Sequence, residues 1–295
     1  MARRILISAT LLAAVAAAGY FTWAHSRLEE PATSVPQNVH SGARDTSPSA
    51  SESQATNAEV RSSGPITVLA FEELKSRAKA GDAVAQRQLA QTYDACFMVN
   101  MSPENYLSDY ETRAKYVGDS AEASEMLRVA RARAEECRNV DGGAPIPLEL
   151  IKGWYAQASE NGDLASKATS ISLSAKKPDK ATSNNLWEGV TQSGDPAAAF
   201  SLGELAAGLG LIASDDQPED LLSGVTSGYA WMVIACRNGY DCSPNSRLMQ
   251  NMCLNTGRCA GEDFEQFVRS SVITSSDSQV LDKKIERISG FLKAP

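Results

Sequence analysis

The chain has 295 residues, 43 % of them hydrophobic and 22 % charged, which is enough apolar material for one large core or two small ones. Its formal net charge of −8 falls wholly on residues 65–295, because residues 1–64 carry five basic and five acidic side chains; a domain that acidic repels phosphate backbones, so nucleic acid is not an expected partner. Both histidines, His25 and His40, precede that domain, which excludes Ser-His-Asp or Cys-His catalysis and any histidine-ligated zinc within it.

Residues 1–27 open with Arg3 and Arg4 and continue as an uncharged run from Ile5 to Ala24. Twenty residues at helical rise cover about 30 Å, the thickness of a bilayer's hydrocarbon core. Tyr20, Phe21 and Trp23 stand at the far end, where interfacial aromatics belong. The segment reads as a signal-anchor or as a signal peptide cut at Ala16-Ala17-Ala18, and the apolar run beyond that site favours the uncleaved anchor. Either reading places the rest of the chain on the extracytoplasmic, periplasmic side. The protein is then held in the inner membrane through residues 5–24, or released to the periplasm after cleavage. Residues 28–64 are rich in Ser, Ala, Pro, Thr and Asn. Such a segment cannot bury enough surface to offset its ordering entropy, so it reads as a disordered linker with a typical reach of about 30–40 Å.

From residue 65 the pattern turns helical. Phe71, Leu74 and Ala78, then Ala85, Leu89, Tyr93 and Phe97, make two amphipathic stripes around Gly81-Asp82. Glycine ends the first helix in a left-handed conformation and aspartate caps the next, the chemistry of a helical hairpin. The device returns at Gly162-Asp163 and at Gly194-Asp195, and in altered form at Gly239, where Ser243-Pro244 is expected to start another helix. The glycines lie 81, 32 and 45 residues apart, and the long first interval is expected to hold one inserted helix, roughly Ala121 to Arg138. Leu281, Ile285, Ile288 and Leu292 share one face of a final helix that would cap the last repeat. No segment reads as a series of β-strands. The expected fold is all-α, an irregular α-solenoid of hairpins with an inserted helix and a C-terminal capping helix.

The stretch "AKAGDAVAQRQLAQTY", with Ala78, Gly81, Asp82, Ala85, Gln86, Leu89 and Tyr93, resembles the Sel-one-like repeats of the tetratricopeptide-like helical superfamily. "WYAQASENGDLA" is similar to the end of that motif's first helix, and "SGDPAAAFSLGEL" to its turn and second helix. The resemblance covers about residues 66–97 and 148–242 and departs from the family in its spacing. It implies a protein-binding or assembly scaffold, with no catalytic residue and no cofactor to carry over.

Six cysteines, Cys96, Cys137, Cys236, Cys242, Cys253 and Cys259, are an even number in an exported chain, which predicts disulfides. Local pairs, Cys236 with Cys242 and Cys253 with Cys259, would clamp turns, while Cys96 with Cys137 would pin the insertion for about 3–4 kcal/mol in the chain-entropy model. Cys236–Cys253 with Cys242–Cys259 is the rival pairing. Other clusters read as ordinary surface. Asp215, Asp216, Glu219 and Asp220 suit a helix start better than a calcium loop, which needs a different spacing and a glycine. Ser174 and Lys177 match S-x-x-K without its companion motifs, and Glu125–Arg128 and Arg131–Glu135 suit self-paired charges on one helix. Trp154, Tyr155, Trp187, Tyr229 and Trp231 are candidate anchors for a partner in a concave groove, or core residues. The function this suggests is a non-catalytic, membrane-tethered scaffold that binds a protein or other component of the cell envelope. The alternative is an envelope enzyme working with carboxylates alone.

Overall fold

The computed structural model describes residues 66–292 apart from Asp216 and Ala260. The expected anchor 1–27 and linker 28–64 lie outside the described residues, as does Asp216 of the acidic cluster. Among the described residues all regular structure is helical, and no helix is long and apolar enough to cross a membrane.

The first hairpin joins α1 (Val68–Lys79) to α2 (Ala83–Met101). Gly81 turns the chain at φ 92°, a conformation a side chain would strain, and the Asp82 carboxylate accepts from the Ala85 amide at 3.0 Å. The same pair of residues joins α5 (Leu148–Glu160) to α6 (Leu164–Leu173), where Asp163 accepts from Ser166 N. It recurs between α7 (Lys180–Ser193) and α8 (Pro196–Ala207), where Asp195 accepts from Ala197 N. Each cap satisfies an amide the helix start leaves open and contributes about 1 kcal/mol.

Asp163 also links two hairpins. Its carboxylate accepts from Arg87 Nε of α2 at 3.0 Å with both side chains almost wholly buried, and beside it Asn161 donates to Gln86. The second hairpin is therefore set against the first by directional bonds as well as by area.

Two helices, not one, fill the interval between these hairpins: α3 (Pro103–Ala114) and α4 (Ser120–Cys137). The first escapes a search for buried stripes because it has no fully buried residue; Tyr106, Leu107 and Tyr110 are only partly covered, against α4. Arg128 pairs with Glu125 at 2.6 Å, but Arg131 lies nearest Glu111 of α3 and Glu135 pairs instead with Arg138. The Cys96–Cys137 disulfide, with Cα atoms 5.3 Å apart, ties α2 to the end of α4. Cys96 lies inside α2, which runs on to Met101, and not at the end of the hairpin.

The second half is built around α10 (Val225–Arg237), apolar on nearly every side, as a helix surrounded by others must be. Gly203 of α8 and Gly228 of α10 meet backbone to backbone: a Cβ on Gly228 would stand 2.6 Å from Gly203 O and 2.5 Å from Ala207 Cβ. Trp231 is fully buried, donates its indole N–H to Leu221 O of the short helix α9 (Glu219–Leu222), and meets Trp187 edge to face at 5.5 Å.

The chain after Gly239 does not close a fourth hairpin. Its helix, α11 (Arg247–Thr256), starts under a Ser246 cap, later than Ser243-Pro244, and packs on α4. Met126, Val129 and Ala130 meet Cys253 and Leu254 there, Arg133 donates to Asn251 at 3.0 Å, and Arg247 pairs with Glu136. The place beside α10 is taken by α12 (Phe264–Phe267) and α13 (Ser278–Phe291), whose Leu281, Ile285 and Ile288 are buried. This final helix covers the repeats. Asp220 of the acidic cluster fastens it, pairing with Lys284 and Arg287.

Candidate functional site

Where α11 crosses to α4, a groove of about 620 Å³ is left between the helical hairpins and α11. Its inner wall comes from the second helices of three hairpins, with Gln88, Gln91 and Asp94 on α2, Thr169 on α6 and Phe200 and Glu204 on α8. The opposite wall is Arg247, Leu248 and Asn251 of α11, and Leu74 and Glu73 of α1 stand at one end. The glycine contact between α8 and α10 occupies Gly203, so the neighbouring Phe200 and Glu204 are left on the groove side.

The disulfides hold this site. Tyr240 and Asp241 line the groove from within the loop closed by Cys236–Cys242, and Tyr240 stacks on Phe200 with ring centroids 4.3 Å apart. Cys253–Cys259 fastens the end of α11 through Cα atoms 4.5 Å apart, and Cys96 lies two residues beyond Asp94. All three bridges join the local or insertion-spanning partners, and the rival crossing of the clustered four is not the one formed.

The charges of the groove divide sharply. Its arginines are both neutralised from outside the lining, Arg77 by Asp82 and Arg247 by Glu136. Glu73, Asp94, Glu204 and Asp241 have no cationic partner within the described residues. Asp94 and Glu204 are both exposed side chains on the groove face, and the walls of the groove thin the water around them. That desolvation pushes Asp94 above the ordinary carboxylate range. Desolvation, and then the nearby charge of Asp94, pushes Glu204 up to about 7. Tyr155, buried at the groove's edge, is raised by desolvation and by the same two carboxylates.

The five aromatics separate by place. Tyr155 lines the groove, whereas Trp231 and Trp187 are core, the latter also edge-on to Phe291 at 5.3 Å. Tyr229 packs on Phe264, and Trp154 lies partly buried against the first-half core. Asp94, Glu204, Gln88 and Gln91 were not legible as a site, because polar residues at helical spacing are the ordinary sign of a solvated face. Ser174 ends α6, donating to Ile171 O in a surface turn, and Asp215 pairs with Lys180.

A second hollow of about 400 Å³ lies between the α3–α4 turn and the end of α11. Several of its polar groups are already engaged: Asp119 caps α4, Arg113 covers Tyr110 and Arg258 pairs with Glu262. No three His, Cys, Asp or Glu side chains among the described residues gather to hold a metal ion. In comparisons with known proteins, no family model matches the chain, and no curated protein or solved structure matches it.

Proposed function

We propose that this protein is a non-catalytic scaffold, a degenerate relative of the Sel-one-like repeats, that captures an extended segment of a partner protein in its groove. Export and tethering through residues 5–24 would put that groove within reach of envelope proteins near the membrane. The observation that carries the reading is the groove itself. Gln88 and Gln91 offer side-chain amides that bond to nothing else among the described residues, next to the Phe200–Tyr240 stack. Amides that both donate and accept, spaced along a helix beside an aromatic platform, suit a peptide backbone and an anchoring side chain. Photo-crosslinking tests it: a photoreactive residue at Gln91 should give one dominant protein adduct in cells, and one at exposed Lys283 on α13 should not. Equal labelling from both positions, or none from Gln91, counts against the scaffold.

One observation favours a second reading. Two desolvated carboxylates in one groove, one of them protonated up to about neutral pH, are the parts of acid–base chemistry on a glycan. Soluble fragments released from purified cell-wall glycan by the full chain, and lost in Glu204→Gln, would establish it.

A further inference from the structure

The groove presents carboxylates with no cation beside them, and this asymmetry needs an account. Two like charges facing one concavity repel each other, and a cation bound between them would relieve that repulsion. The side chains of Asp94 and Glu204, both exposed on the groove, make no hydrogen bond or ion pair within the described residues, whereas the buried Asp163 both caps a helix and pairs with Arg87. Every arginine that reaches the groove is held by a carboxylate outside it, so the fold leaves the complement of these acids to something else.

We infer that the groove is a receptor for an extended basic segment of the partner, with a lysine ammonium or arginine guanidinium seated against Asp94 and Glu204. The inference rests on the groove being the partner-binding surface. Tyr155, Phe200 and Tyr240 line the same groove as the two acids, and aromatic groups in a groove with a carboxylate pair suit an alkyl-ammonium or a guanidinium plane. An acidic segment would meet uncompensated repulsion from the same pair, which makes the groove selective by sign.

Binding should follow the ionisation of Glu204. The titratable groups that share the groove with it are Glu73 and Arg77 from α1, Asp94 from α2, Tyr155 from α5, Tyr240 and Asp241 from the disulfide loop, and Arg247 from α11; α6 contributes only the non-titrating Thr169. Arg247 is held by Glu136, and the charge of Asp94 opposes ionisation until a cation arrives. A carboxylate titrating at about 7 gains roughly tenfold in its ionised fraction between about pH 6 and about pH 8, so affinity for a cation should rise by about that factor.

The test uses the full chain in nonionic detergent and a fluorescein-labelled hexapeptide of alternating alanine and lysine, read by fluorescence polarisation. The expected results are binding that tightens about tenfold from pH 6 to pH 8, at least about tenfold weaker binding in Asp94→Asn/Glu204→Gln, and none of an alanine–glutamate hexapeptide. The pH dependence of the unaltered chain keeps the test decisive if the double variant folds poorly. Equal binding of both peptides, or lysine-peptide binding indifferent to pH and to the variant, overturns the inference. Lysine-peptide binding that appears only after Arg44→Ser/Arg61→Ser would assign the groove to the chain's own N-terminal segment and overturn the partner assignment. Gln91 adducts without any affinity for the lysine peptide would sink this inference and leave the scaffold standing; a lack of Gln91 adducts removes the surface on which both depend.

Discussion

The two halves of the helical domain are held together by different physics. Around α1, α2 and α5 the core is modest, and directional bonds reinforce it: buried Arg87–Asp163, Lys75–Asp141 with Tyr93 donating to the same carboxylate at 2.7 Å, and the Cys96–Cys137 bridge. Around α8, α10 and α13 the core is larger and almost wholly apolar, with glycines in backbone contact and tryptophan against tryptophan. Area-driven packing tolerates a change of angle, whereas a buried ion pair or a disulfide specifies one geometry. The half interrupted by an insertion is the half that carries a buried ion pair; the ion pairs of the apolar half are more exposed and its two disulfides close short local loops. The groove lies between them, its inner wall drawn from both.

The largest effect should come from the apolar half. Trp231→Ala is expected to cost about 4 kcal/mol in urea unfolding, with faster amide exchange across α8, α10 and α13 and little change in α1 and α2. Uniform acceleration through both halves would erase the distinction. Asp163→Ala removes a cap and half of a buried pair, for about 3–4 kcal/mol, whereas Arg87→Met/Asp163→Leu should recover part of that loss, since apolar replacements often match such a pair. Cys96→Ser/Cys137→Ser opens a long loop and should cost about 3 kcal/mol, mostly in the first half. The six-residue separation of Cys236 and Cys242 makes their loss cheaper, about 2 kcal/mol, yet it should release Tyr240 from Phe200 and abolish hexapeptide binding. The smallest change is Glu204→Gln, and its direction depends on pH. Glu204 ionises from an ordinary 4.5 when unfolded and from about 7 when folded, so between these values the unfolded state releases its proton first and stability falls as pH rises. The amide variant should therefore raise Tm at pH 8 and leave it unchanged at pH 4, where the carboxyl is protonated in both states. A variant less stable at pH 8 would mean that Glu204 has a structural partner after all.

The helical class, the Gly-Asp turns and the existence of disulfides were legible in the sequence because each is a local matter. Gly81 and Asp82 carry their own turn chemistry, and the stripe Phe71, Leu74, Ala78 states its period without reference to the rest of the chain. The same locality explains what was missed. Nothing between Pro103 and Ala114 announces a helix whose apolar side is only half covered, and nothing after Gly239 says that α11 will leave α10 for an insertion more than a hundred residues earlier. Periodicity tells which face of a helix is apolar and is silent about which other face will cover it. The groove belongs wholly to that second kind of information. Asp94 and Glu204 are unremarkable acids on separate helices until tertiary packing sets them in one concavity, thins the water around them and leaves the neighbouring arginines committed elsewhere. Sequence alone determined the repeating units, because capping and amphipathicity act over three or four residues. Only the tertiary structure decided what those units enclose, because desolvation and charge pairing depend on whatever else is within a few ångströms.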